Sequence, residues 1–186
     1  MIDKARLEEI GKELLLALGA DLNDPNFTNT PKRWAKMWLE LLTQEPLSTP
    51  YFKPIVADQL VVVTGIEAWS VCAHHLLPFK LSGTCAYLIS GKMVGASKLV
   101  RAFRAAAASL GTQEMVVERA AQEVAKLAGT ENVAVFAIGT HLCMAARGVK
   151  TNAKMITSRL MGAFRSNSDL RTEVLRLIHI SSGDGA

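Results

Sequence analysis

The stretch Ser70-Val71-Cys72-Ala73-His74-His75-Leu76-Leu77-Pro78 joins two apolar runs, and the rest of the chain is organised around it. On its amino-terminal side, Leu60-Val61-Val62-Val63-Thr64-Gly65-Ile66 is β-branched and predicts a strand over residues 59–69. On its other side residues 80–89 predict a second strand. Between them Cys72 and His75 form a C-x-x-H pair with His74 inside it. A thiolate and an imidazole are good ligands for a borderline-soft cation such as zinc, which takes four ligands in a tetrahedral shell. By itself the pair is equally the pattern of a small buried thiol beside a turn.

A second cluster, His141-Leu142-Cys143-Met144, favours ligation. Residues i and i+2 of a strand face the same side, so His141 and Cys143 are both expected to point toward Cys72 and His75. Cys72, His75 and Cys143 then provide three ligands. One position stays open for water, which is the arrangement of a catalytic zinc rather than a structural one.

The whole-chain numbers agree with an enzyme of modest size. The chain has 186 residues, 49% of them apolar, enough for one domain with a proper core. No charge-free apolar run reaches the length of a membrane span, and Met1-Ile2-Asp3-Lys4 lacks the basic-then-apolar form of a secretion signal. Three cysteines form an odd set, so a reducing cytoplasmic setting with metal-binding thiols is expected rather than a disulfide framework. The net charge of +4 is mild and gives no sign of a nucleic-acid partner.

Residues 3–18 predict an amphipathic helix with Leu7, Ile10, Leu14 and Leu18 on one face, stopped by Gly19. After a polar loop, Thr30-Pro31 opens a second helix, with Thr30 as the expected cap and Arg33 and Lys36 on a shared face. Pro46, Pro50 and Pro54 predict an extended connector. Beyond the second strand, Ser90-Gly91-Lys92 reads as a turn and Met93-Val94-Gly95 as a brief return. Ser97 is expected to cap a helix running to Leu110, with Lys98 and Arg101 in its first turns. A helix N-terminus with added cations suits a phosphate. Gly111 breaks the pattern, and Thr112-Gln113-Glu114 opens a helix to Ala128. Asn132–Leu142 reads as a strand, residues 153–161 as a last strand, and residues 168–178 as a closing helix with Leu170, Val174 and Leu177 inward. The predicted class is α+β: leading helices over residues 1–54, then an antiparallel sheet over residues 55–186 with two helices on one face, the whole forming one structural domain.

Taken in order, these residues resemble GTP cyclohydrolase I, a family of the tunnelling fold (T-fold). The resemblance covers nearly the whole chain: Thr30-Pro31 with Arg33 and Lys36-Met37; Cys72 with His74-His75-Leu76; Gly95 with Ser97-Lys98 and Arg101; Gln113-Glu114; His141, Cys143 and Ala146-Arg147-Gly148; Gly162 and Phe164 followed by Arg171. It implies zinc on Cys72, His75 and Cys143. It further implies that Glu114, helped by Gln113, clamps the guanine edge, since a carboxylate accepts two adjacent hydrogens. Lys98, Arg101 and Arg147 would hold the triphosphate of GTP, with Arg33 or Lys36 arriving from a neighbouring subunit. His74 and His141 would move protons, and Ser97 would contact the ribose. The implied reaction is hydrolysis of GTP at C8, release of formate, and rearrangement to 7,8-dihydroneopterin triphosphate in a homodecamer.

The chain departs from the family pattern where Ala73 replaces a usual glutamate and Met115 replaces a usual basic residue. Its leading segment and connector are also short. Two other readings belong beside the complete reaction: an enzyme that stops at a formamidopyrimidine or another intermediate, and a catalytically silent, zinc-stabilised nucleotide-binding subunit. The full set His74, His141, Ser97 and Glu114 with the basic trio argues against the silent binder, which has no need of proton-transfer groups. A thiol-dependent reductase of the same fold is disfavoured because both matched cysteines are used as ligands.

Overall fold

The computed structural model describes residues 2–44, 51–53, 57–90 and 92–181. The three connector prolines, Pro46, Pro50 and Pro54, and Gly91 of the expected turn lie outside the described residues. The chain divides into two compact units, Met1–Thr43 and Gln44–Ala186.

The first unit is a helix pair, α1 (Lys4–Ala17) and α2 (Thr30–Leu42). Asp3 caps α1 by accepting from Arg6 N at 2.9 Å. The face carrying Ile10, Leu14 and Leu18 is exposed. The helices meet instead at Gly11, the buried residue of α1, where the missing side chain admits Pro31 and Trp34. Thr30 does not cap α2. It is the first helical residue, its hydroxyl reaches back to Asn26 O, and Asn29 takes the cap position without a side-chain bond. Trp34 and Trp38 pack edge to face with centroids 5.6 Å apart.

The second unit is an α+β fold built on a five-stranded, antiparallel-rich sheet. Its strands are β2 (Leu60–Cys72), β3 (Pro78–Leu88), β5 (Leu110–Gly111), β6 (Val133–His141) and β7 (Met155–Leu160), in the order β5-β2-β3-β6-β7. All neighbours are antiparallel except β5, which pairs in parallel with the end of β2 through Val71↔Leu110 and Cys72↔Gly111. The expected break at Gly111 is therefore a short strand. A second, two-stranded sheet joins β1 (Tyr51–Phe52) to β4 (Met93–Val94). The β2–β3 register shifts between Val63 and Ile66. Gly65 sits there at φ +68°, a conformation glycine adopts without Cβ strain, so the strand can bulge and still reach Cys72 in register.

Helices cover both faces of this sheet. On one face α3 (Ala96–Ala107) and α4 (Gln113–Ala128) enclose Phe79, Leu81, Cys85, Tyr87, Phe103 and Val135. Fully burying a large apolar side chain contributes about 1.5–3 kcal/mol, so this layer dominates the stability. On the other face, α6 (Ala163–Ser166) and α7 (Ser168–Ser181) place Phe164 and Val174 against Ala86 and Ala134. Leu170 is half-buried at that layer, whereas Leu177 points outward, contrary to its expected inward position.

Two further local expectations fail. Ser97 is the second residue of α3, and Gly95 occupies the cap position with no side-chain bond, because the chain enters the helix directly from β4. Cys143 is not on a strand. β6 ends at His141, and Leu142–Ala145 forms a single helical turn, α5.

Candidate active site

The C-x-x-H spacing acts through a tight turn. Cys72 is the last residue of β2, and Leu76 N donates to Cys72 O at 2.9 Å. Leu77 O accepts from Cys72 N at 3.0 Å before Pro78 starts β3. This closure brings His74 Nδ1 to 3.8 Å and His75 Nδ1 to 3.9 Å from Cys72 Sγ. Cys143 arrives from the α5 turn with its sulfur 3.9 Å from that of Cys72. Donor atoms of Cys72, His75 and Cys143 all lie within 4.8 Å of one another. Convergence is thus achieved, but by a helical turn after β6 rather than by strand alternation.

The donor set suits zinc: two sulfurs and one imidazole nitrogen leave a fourth position open. The Cys143 thiol shows the same demand. Burial, followed by the neighbouring Cys72 sulfur, pushes the Cys143 thiol above its usual value, while Arg147 works in the opposite direction. A cation at this position would stabilise the Cys143 thiolate that its surroundings disfavour.

Beside the ligands, His141 is buried and stacks on Phe79, with centroids 4.4 Å apart and planes at 11°. Its Nε2 lies 2.9 Å from Gln113 Oε1. The amide orientation is fixed because Gln113 Nε2 faces three oxygens at 3.0 Å: Ala137 O, Met155 O and Thr157 Oγ1. Carbonyl oxygens only accept, so Gln113 Oε1 faces the ring and His141 Nε2 carries the hydrogen. Nδ1 is left as the exchangeable position. Gly139 makes room for this arrangement, since a Cβ there would collide with Gln113 Oε1. Gln113 is 1% exposed and its amide is occupied inside the protein, whereas Glu114, the next residue, is exposed on the first turn of α4. Its own backbone N–H and the Thr112 hydroxyl hold the Glu114 carboxyl below the usual range, partly offset by burial and aided by His141 and His74. Burial in turn lowers the His141 imidazole, with Glu114 opposing. Glu114 thus stands within electrostatic reach of His141 and His74, and His74 lies beside the Cys72 sulfur.

Other expected site residues lie elsewhere. Val94 N donates to Tyr87 Oη at 2.9 Å, and Tyr87 pairs with Val61, near the start of β2. Ser97 and Lys98 lie in the first turn of α3 and Arg101 in its second; the helix rises about 15 Å from Ser97 to Ala107 before Ser109 meets Val71 beside Cys72, so Ser97 and Lys98 stand at the end of α3 remote from Cys72. Arg147 lies close to Cys143. Arg33 and Lys36 belong to the helix pair, where Lys36 meets Glu40 at 3.5 Å. Phe79, Thr112, Thr157 and Gly139 support the site without having been singled out for that role in the sequence. Only the pairing of β3 with β6 and β6 with β7 reveals Phe79, Thr157 and Gly139.

A model of the GTP cyclohydrolase I family matches residues 7–179. The chain belongs to the GTP cyclohydrolase I family. It is 38% identical over 177 residues to GTP cyclohydrolase 1 of Hyperthermus butylicus, covering 95% of this chain and 92% of that one. The corresponding protein of Coxiella burnetii is 40% identical over 176 residues, covering 90% and 94%. That of a Sulfurihydrogenibium species is 35% identical over 181 residues, covering 96% and 97%. The chain is accordingly an enzyme of this family, and no helix among its described residues is long and apolar enough to cross a membrane.

Proposed function

We propose that this family member is a complete, zinc-dependent GTP cyclohydrolase I that converts GTP to formate and 7,8-dihydroneopterin triphosphate. The observation that carries the reading is the meeting of Cys72, His75 and Cys143 within 4.8 Å, beside a buried histidine and an exposed, ionised glutamate. Zinc on those three residues would supply a nucleophile at neutral pH by acidifying water to about 7.

The remaining steps fall to side chains. Glu114 accepts the ring N–H and exocyclic amine hydrogens of guanine, which sets C8 toward the ligands. Gln113 serves that clamp from behind, by holding His141 and anchoring the start of α4 to β6 and β7. His141 delivers and removes protons through Nδ1 as the imidazole ring of guanine opens and the ribose rearranges, and His74 acts at the solvent side. Lys98, Arg101 and Arg147 neutralise the triphosphate and Ser97 meets the ribose. The place of Ser97 and Lys98 at the end of α3 remote from Cys72 supports a site shared between subunits, to which Arg33 or Lys36 also contributes.

The assembly we propose is a tunnelling-fold homodecamer in the cytoplasm. The edge strand β7 has one neighbour among the described residues, and Ile156 on it is 70% exposed. Such an edge calls for a partner. The test is incubation with GTP followed by separate assays for formate and for a fluorescent oxidised pterin. Formate with pterin supports the complete reaction, formate alone an enzyme that stops early, and neither a silent nucleotide binder.

A further inference from the structure

One polar cluster lies behind the constellation of ligands, histidines and carboxylate. Ser70, on β2 two residues before Cys72, is wholly buried, and its hydroxyl donates to Ser109 O at 3.0 Å. Val71 N points to the same oxygen at 3.4 Å. The Ser109 hydroxyl donates to Ala106 O at 3.1 Å, near the end of α3. It accepts from Arg119 Nη1 at 2.8 Å. Both polar groups of Ser109 are thus engaged, and they join β2, α3 and the second turn of α4.

This junction has little slack. Two residues beyond Ser109, Gly111 pairs with Cys72 and its carbonyl accepts from Ala73 N at 3.1 Å. Thr112 then caps α4, and Gln113 and Glu114 follow. The segment is therefore bonded to the Cys72 strand both before and after Leu110. Arg119 adds a tie from beyond Glu114 back to Ser109, ten residues earlier in sequence. A shift of Glu114 relative to the metal ligands must break one of these ties.

We propose that Arg119 is a positioning residue: through Ser109 and Ser70 it fixes α4 to β2 and so sets where Glu114 stands relative to Cys72. It touches neither substrate nor metal. The assignment rests on the reading of Glu114 as the guanine clamp.

Arg119→Met keeps most of the apolar stem while removing the donor, so the fold should survive. The experiment compares the parent with Arg119→Met, Ser109→Ala, the double variant and Ser109→Thr, by zinc content, thermal midpoint and steady-state formate release from GTP. The expected result for Arg119→Met and for Ser109→Ala is full zinc and a KM for GTP raised about tenfold, with kcat within about threefold, as loss of substrate positioning requires. The double variant should match the single ones, because both remove one tie. Ser109→Thr, which keeps the hydroxyl, should restore the parent KM. An unchanged KM in Arg119→Met, losses that multiply in the double variant, or KM, zinc and thermal midpoint deteriorating together would overturn the assignment. A parent that releases no formate removes the reading of Glu114 itself, whereas an active parent with indifferent variants removes only the role of Arg119.

Discussion

His141 donates through Nε2 to Gln113 Oε1 across 2.9 Å, and the same amide gives its hydrogens to oxygens of Ala137 on β6 and Met155 beside Thr157 on β7. One side chain therefore ties the imidazole beside the candidate site to two strands. In Gln113→Leu the volume is nearly kept, but a buried ring N–H and backbone carbonyls lose partners. Each such group costs about 1–3 kcal/mol. The urea midpoint should fall with an unchanged slope, and a midpoint equal to the parent's would show that the amide is dispensable.

Glu114→Ala should separate substrate choice from metal binding. Glu114 touches no ligand thiol among the described contacts, so zinc content should be retained. A charge-assisted hydrogen bond contributes about 1.5–3 kcal/mol, so kcat/KM for GTP should drop at least about tenfold. Discrimination between GTP and ATP, measured by competition, should fall with it. If discrimination is unaffected, guanine is read by another group.

His141→Ala should spare the metal, because His141 faces Gln113 and Phe79. Loss of a positioned acid or base typically costs ~10²–10⁴ in rate. Pterin formation should slow by that order while a ring-opened purine accumulates. Zinc and pterin falling in parallel would make His141 a ligand or a scaffold residue instead.

The three free thiols should respond differently to a thiol reagent. Burial pushes the Cys85 thiol up to about 12, so at about pH 8 its thiolate fraction is ~10⁻⁴. In the zinc-loaded protein none of Cys72, Cys85 and Cys143 should react. A strong chelator should expose Cys72 and Cys143, and denaturant should add Cys85. Early labelling of Cys85, read by peptide mass, would contradict its place in the core.

A pH dependence follows from the imidazole. Burial lowers the His141 value, with Glu114 opposing, so the folded chain binds fewer protons there than the unfolded chain. The associated stability is complete above about 6.5, the usual histidine value, and is lost as pH falls toward the folded value. Metal-free protein should melt progressively lower between about pH 7 and pH 5, and His141→Gln should flatten that slope. Equal slopes would mean that other groups govern acid stability.

Much of this arrangement is legible in sequence because it is local. The C-x-x-H pair, the helix opening at Thr112-Gln113-Glu114 and the β-branched run of β2 depend on neighbours a few residues apart. What escaped is set by distant partners. Cys143 reads as a strand residue because Leu142 continues an apolar run, but Met144 and Ala145 wind back into one turn. Ser97 and Thr30 look like caps by residue type, yet the incoming backbone leaves the cap position to Gly95 and Asn29. Gln113 looks like a companion of Glu114 in contacting substrate, and only the crossing of α4 over β6 and β7 shows its amide consumed within the protein. The period within α7 marks Leu170 and Val174 as inward, but its packing on the second sheet face and the exposure of Leu177 depend on partners outside the helix.

Cys72 and Cys143 lie 71 residues apart in sequence, whereas Cys72 and His75 share one hairpin turn. The third donor reaches the other two only when β3 aligns with β6, the register that sets Phe79 opposite His141. During folding the hairpin would therefore offer a metal two donors first, and capture by all three would wait for the pairing of β3 with β6. Retention of a bound metal would on this account be a property of the finished sheet, and three-donor capture would mark its closure.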